Sequence, residues 1–220
     1  MKQPVEEKEK GDSRDTGRTE AFSDGVFAVA ITLLVLDIRL PTKEVTSTEA
    51  LFVEFLQIWP ILLAFVSGFA TIGIMWINHH RLFTHIVRTD NWLLVLNLLL
   101  LLVIIFIPFP TALLAEYLPE PEQKFPALLY SATSVVMSIC FNLLWRYAAK
   151  NNRLLDSRAD LGSVKAISDQ YRFGPLLYLV AFGLAFFNVA LSVGLNLLLA
   201  AFFALPGKTV LLREKPELPR

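Results

Sequence analysis

Apolar stretches long enough to cross a lipid bilayer constrain this chain more than any other feature. A spanning helix needs roughly 20 mainly apolar residues, with about 17 as the practical lower limit. Four stretches meet that length: Ala21–Leu40, Leu56–Ile77, Trp92–Leu114 and Ala127–Ala148. A fifth, Phe173–Leu205, runs on for about 33 residues, too many for one crossing at about 1.5 Å per residue. Asn188, Gly194 and Asn196 interrupt it. Division near Asn188 gives two short spans; the alternative is one strongly tilted helix. The expected class is therefore an all-α membrane protein with six transmembrane helices per chain. Composition agrees. The 220 residues are 55% hydrophobic and mean hydropathy is +0.53, beyond the range of an ordinary soluble domain.

Basic residues orient the spans. With six crossings, the N-terminal tail, the 2–3 and 4–5 loops and the C-terminal tail share one side. They hold 17 of the 20 lysines and arginines, leaving only Arg39, Lys43 and Lys124 for the other side. The positive-inside rule then places both termini in the cytoplasm. Five crossings would put Lys208, Arg213, Lys215 and Arg220 outside. Net charge is zero, so nothing favours nucleic-acid binding. The lone Cys140 allows neither an intrachain disulfide nor a cysteine metal site. The first 20 residues are polar, with no apolar core of a signal peptide, and are expected to be disordered.

Polar residues inside the spans are the functional candidates, because lipid penalises them. Ser23 and Asp24 open span 1 and Thr32 lies in its middle. Both of the first two suit a helix N-terminus. A carboxylate there also needs donors, and the end of span 2, "MWINHHRLF", reaches the same membrane face. Asp24 and Ser23 are expected to bond Trp76 and one of His79 or His80, with Arg18 joining from the tail. At about 100° per residue, Val29, Thr32, Leu33 and Leu36 fall within roughly 60° of one direction, while Asp24 points about 140° away. Phe22 and Gly25 share the Val29 side. The acid is thus expected to pack inward, leaving a stripe free to line something.

The remaining polar positions give less. Adjacent His79 and His80 diverge on a helix and do not chelate as i, i+4 pairs do, so no metal site is expected; proton sensing is the other reading. Asn97, Cys140 and Asn142 are expected to be packing residues. Pro108 and Pro110 should kink or end span 3. Trp92 and Trp145 sit where interface aromatics belong. The 4–5 loop has room for a short surface amphipathic helix. There is no TVGYG filter, no GxxxxGK[ST] phosphate loop, no clear inverted repeat, and no arrangement suggesting an enzyme.

The pattern Arg18-x-x-x-Phe22-Ser23-Asp24 followed by "GVFAVAITLLVLDI" resembles the signature of the transmembrane protein 175 potassium channels, and "MWINHHRLF" and "NLLLLLVIIFIPFPTALLAEY" look like that family's second and third spans. The likeness covers about residues 18–205 and is similar to bacterial members with one six-span unit. It implies a homotetramer in the plasma membrane, with helix 1 lining a central pore that has no carbonyl filter. Potassium and other monovalent cations pass, with modest selectivity for potassium and no cofactor. By position, the resemblance puts the first constricting residue at Val29, the threonine layer at Thr32 and further apolar pore residues at Leu33 and Leu36. Valine departs from the family's usual isoleucine or leucine. Arg18, Phe22, Ser23, Asp24, Trp76, His79 and His80 correspond to a structural network that holds helix 1 in place. Domain limits follow: a disordered cytoplasmic tail at 1–17, a channel domain at 18–206 and a cytoplasmic tail at 207–220. The competing expectations are a proton-conducting or pH-sensing channel and a non-conducting membrane scaffold.

Overall fold

The computed structural model describes residues 3–38, 47–156 and 160–205, with side chains from Thr16 onward. The expected C-tail, the end of span 1 at residues 39–40, and Lys2, Lys43 and Arg158 lie outside the described residues. The described residues are helical almost throughout. The helices are α1 (Gln3–Leu33), α2 (Thr48–Gln57), α3 (Trp59–Phe83), α4 (Asn91–Phe106), α5 (Pro108–Tyr117), α6 (Lys124–Ala149), α7 (Leu161–Arg172), α8 (Gly174–Leu184) and α9 (Val189–Ala204). Among the described residues, four helical stretches are long and apolar enough to cross a membrane: Thr16–Asp37, Trp59–Phe83, Asn91–Tyr117 and Pro121–Asn152.

Each boundary has a local cause. Asp90 and Asn188 accept from the Leu93 and Leu191 N–H groups at 2.9 and 3.0 Å, capping α4 and α9. Such caps satisfy otherwise orphaned helix donors. Asn188 therefore divides the long apolar run where its sequence suggested. Pro108 does the same for span 3, ending α4 at Phe106 and opening α5, because proline lacks an N–H and fits a helix's first turn. α1 departs from expectation at both ends. It begins at Gln3, so the segment expected to be disordered is helical; its Glu, Lys and Arg residues are good helix formers. At the other end it tightens into a 3-10 turn over Leu34–Asp37.

The core lies between α1, α3, α4 and α6. Phe27, Ala30, Ile72, Leu82, Leu93, Leu100, Ile104, Leu144 and Trp145 are all almost fully buried there. α6 packs against α4, α5, α8 and α9. Trp145 was expected at the membrane interface; instead it is 1% exposed and its indole N–H donates to Ser168 Oγ at 2.9 Å. The α7 helix docks across that end of the bundle, burying Ile167 and Tyr171, and so covers the tryptophan. Asn142 Nδ2 donates to the Tyr171 carbonyl at 2.7 Å. Trp92 remains exposed.

The 2–3 and 4–5 loops clasp one another. Ile86 and Leu155 form an antiparallel bridge, the Val87 N–H donates to the Leu154 carbonyl at 3.0 Å and the Asp156 N–H to the His85 carbonyl at 3.2 Å. Asp90 anchors the clasp, accepting from the Tyr147 hydroxyl at 2.7 Å and pairing with Arg153 at 3.3 Å. Partial burial alone would raise the Asp90 carboxyl. The Leu93 N–H, the Tyr147 hydroxyl and the Arg153 charge outweigh it and hold that carboxyl below the usual range.

Candidate functional site

Two opposite faces of α1 divide the expected site residues. The inward face carries Ser23, Phe27 and Ala30, all buried. The outward face carries Phe22, Gly25, Val29 and Thr32, all exposed in the chain. A 3.6-residue period separates these sets, and packing against α3 and α4 determines which one is hidden.

On the inward face, hydrogen bonds run through three helices. Ser23 Oγ donates to the Thr19 carbonyl at 2.8 Å and accepts from Asn97 Nδ2 at 2.9 Å. Asn97 Oδ1 lies 3.0 Å from His79 Nε2. Because an amide oxygen only accepts, His79 donates there, which selects its Nε2–H tautomer. Phe83 stacks on the imidazole at a centroid distance of 4.3 Å, and Phe27 meets it edge-on at 5.4 Å. Ser23, Asn97 and His79 are all at most 2% exposed. This dry chain joins α1, α3 and α4, and leaves His79 Nδ1 as a buried acceptor with no hydrogen-bond partner among the described residues.

A second, more exposed set lies beside it. The Trp76 indole N–H donates to Asp24 Oδ1 at 2.8 Å. His80 Nδ1 lies 2.9 Å from Glu20 Oε1, and the His80 ring stacks near Trp76 at a centroid distance of 6.0 Å. The expected Trp76–Asp24 contact is therefore present, but neither histidine bonds to Asp24. His79 turns to α4 and His80 to Glu20, because consecutive helical residues diverge by about 100°. Arg18 is exposed and joins none of these bonds. Phe22, at 57% exposure, belongs to the outward stripe and not to the network. Sequence reasoning missed Asn97, read as packing, and Glu20. A lone amide within "NLLLLLV" is the signal that pointed to the first: a buried carboxamide demands partners.

The outward stripe has a distinct chemistry. Val29 is 49% and Leu36 71% exposed, while Leu33 is half-buried. The helix tightens over Leu34–Asp37, with Leu36 outward and Leu34 buried, as the regular spacing already placed them. The Thr32 hydroxyl donates to the Val29 carbonyl at 2.8 Å. With its proton turned back to the helix, the oxygen keeps lone pairs for an outside group. Among the described residues, no cluster of three or more His, Cys, Asp or Glu could hold a metal ion.

This chain is similar to several known proteins. The family model described as "Endosomal/lysosomal potassium channel TMEM175" matches residues 18–108, which include both faces of α1 and the α3 and α4 partners. A potassium channel of Chamaesiphon minutus is 51% identical over 197 residues, covering 90% of this chain and 97% of that protein. The crystal structure of a lysosomal potassium-selective channel TMEM175 homolog from the same organism superposes with a TM-score of 0.78 at 49% identity, covering 87% of this chain and 97% of that one. The endosomal/lysosomal proton channel TMEM175 of Homo sapiens is 32% identical over 138 residues, covering 60% of this chain and 27% of that protein.

Proposed function

This chain belongs to the TMEM175 family, and from that premise we propose that it is a passive, potassium-permeable cation channel with modest preference for potassium over sodium. The observation that carries the reading is the outward stripe of α1, apolar at Val29 and Leu36 with an oriented hydroxyl at Thr32 between them. Four copies arranged about an axis would bring those stripes together. Val29, Leu33 and Leu36 then narrow the water column, and apolar necks gate by dewetting. Thr32 supplies oxygens to a partly dehydrated ion. The Ser23–Asn97–His79 chain and the Trp76–Asp24 bond hold each α1 against its own subunit, so the inward face sets the position of the outward one. We assign the chain to the plasma membrane, with six crossings, both termini cytoplasmic and a channel domain over residues 18–206.

The test is ion flux from liposomes containing the purified protein, with potassium and sodium gradients matched. Faster potassium efflux, reduced by Val29→Phe, supports the pore. Silence for both ions from folded, oligomeric protein supports a scaffold. A similarity to a relative described as a proton channel favours a second reading, proton conduction. A pH-driven current that persists without potassium or sodium would establish it.

A further inference from the structure

Asn78 follows the period of α3 away from the His79 network, to a small cavity where α3, α6, α7, α8 and α9 meet. The cavity has a volume of about 30 Å³ and is lined by Asn78, Ser138 and Tyr171 among apolar side chains such as Met75, Phe141 and Phe203. Two of its polar atoms, Asn78 Oδ1 and Tyr171 Oη, are buried with no hydrogen-bond partner among the described residues. Asn78 is 4% and Tyr171 7% exposed. Neither is free to swing out to solvent. The Tyr171 carbonyl is held by Asn142 at 2.7 Å, and its ring lies between Phe141 and Phe203 at centroid distances of 6.2 and 6.0 Å. Arg81 lies close enough to act on Tyr171 electrostatically. Its Nη2 donates to the Ala204 carbonyl at 2.9 Å, while Nη1 is buried and likewise unpartnered. Burial pushes the Tyr171 phenol up and the Arg81 charge opposes it, so the two are electrostatic neighbours and the phenol stays neutral.

Buried polar atoms are rarely left without partners. The two lining atoms combine an acceptor, Asn78 Oδ1, with a hydroxyl that both donates and accepts. The occupant must donate and accept and must be very small. A water needs about 10–15 Å³ of such space and two to four polar partners. A cation would meet the Arg81 charge.

We propose that this cavity is a built water site, in which an ordered water donates to Asn78 Oδ1 and bonds the Tyr171 hydroxyl, joining α3 to α7. The site couples the helix that carries Trp76, His79 and His80 to the cytoplasmic helix that covers the bundle end.

The experiment uses the full chain in its native oligomer, at a resolution that shows ordered water elsewhere in the bundle. Density within hydrogen-bonding distance of both Asn78 Oδ1 and Tyr171 Oη, lost or displaced in Tyr171→Phe, is the expected result. Crystals pressurised with xenon provide the opposite outcome: xenon in the wild-type cavity, without a water peak, marks a dry apolar void and overturns the proposal. Thermal unfolding adds a second arm. Tyr171→Phe and Asn78→Leu should each lower the midpoint by a few degrees, and the double variant should fall no further than the worse single one, because both remove the same bridge. Strictly additive losses also overturn it. If Asn78→Leu does not fold, the density in Tyr171→Phe decides alone.

Discussion

Thr32 has a single hydroxyl proton, and the Val29 carbonyl takes it. What the side chain offers outward is therefore an oxygen. This sets a graded expectation at one residue: Thr32→Ser keeps the oxygen and should keep most potassium preference, whereas Thr32→Val keeps the shape and should lose it. Reversal potentials under mixed potassium and sodium gradients distinguish the two. At Val29, truncation to alanine should raise conductance by widening an apolar neck, read as single-channel current; an unchanged current would remove Val29 from the path. On the other face, Asn97 bonds both Ser23 and His79 while 2% exposed. Asn97→Leu leaves a buried imidazole donor unpaired, a loss of about 1–3 kcal/mol. It should lower the thermal midpoint of the oligomer while leaving ion preference in surviving channels close to the parent's.

Among the elements, helix ends are set by single side chains. The cap of α9 rests on Asn188, which is exposed and placed between two short apolar helices. Asn188→Ala should cost about 0.5–2 kcal/mol, with faster amide exchange at the start of α9 as the local readout. The Asp90 clasp has a pH dependence of definite sign. Its carboxyl is held lower in the folded chain than the usual unfolded value of about 4. Its contribution is therefore fully present above that value and is lost as pH falls through the folded one. Wild type should exceed Asp90→Asn in thermal midpoint near neutral pH, and the two curves should converge on acidification. A gap that stays constant with pH would mean that the charge is not what holds the clasp.

For the whole molecule, the exposed face of α1 poses the central question, since Phe22, Val29, Val35 and Leu36 stand free in one chain. If four copies meet there, cysteine at position 29 lies near its symmetry mates. In a background with Cys140 replaced by serine, Val29→Cys should form reversible subunit cross-links on mild oxidation. Absence of cross-links from protein that light scattering shows to be tetrameric would place another element at the axis.

The amino-acid sequence by itself determined where the four longest apolar helices form, where Pro108 and Asn188 interrupt apolar runs, and which α1 residues share a face, because length, ring constraint, capping and periodicity are all local quantities. The Trp76–Asp24 pair was also legible, since topology alone brought those ends together. Tertiary packing decided the partners. His79 and His80 are neighbours in sequence but bond different helices. Asn97 became the centre of the buried chain, and Trp145 went under α7 instead of to the interface. Each of those outcomes depends on the rotation and depth of one helix against another. Those are fixed by the fit of many side chains across elements distant in sequence, which no single stretch encodes.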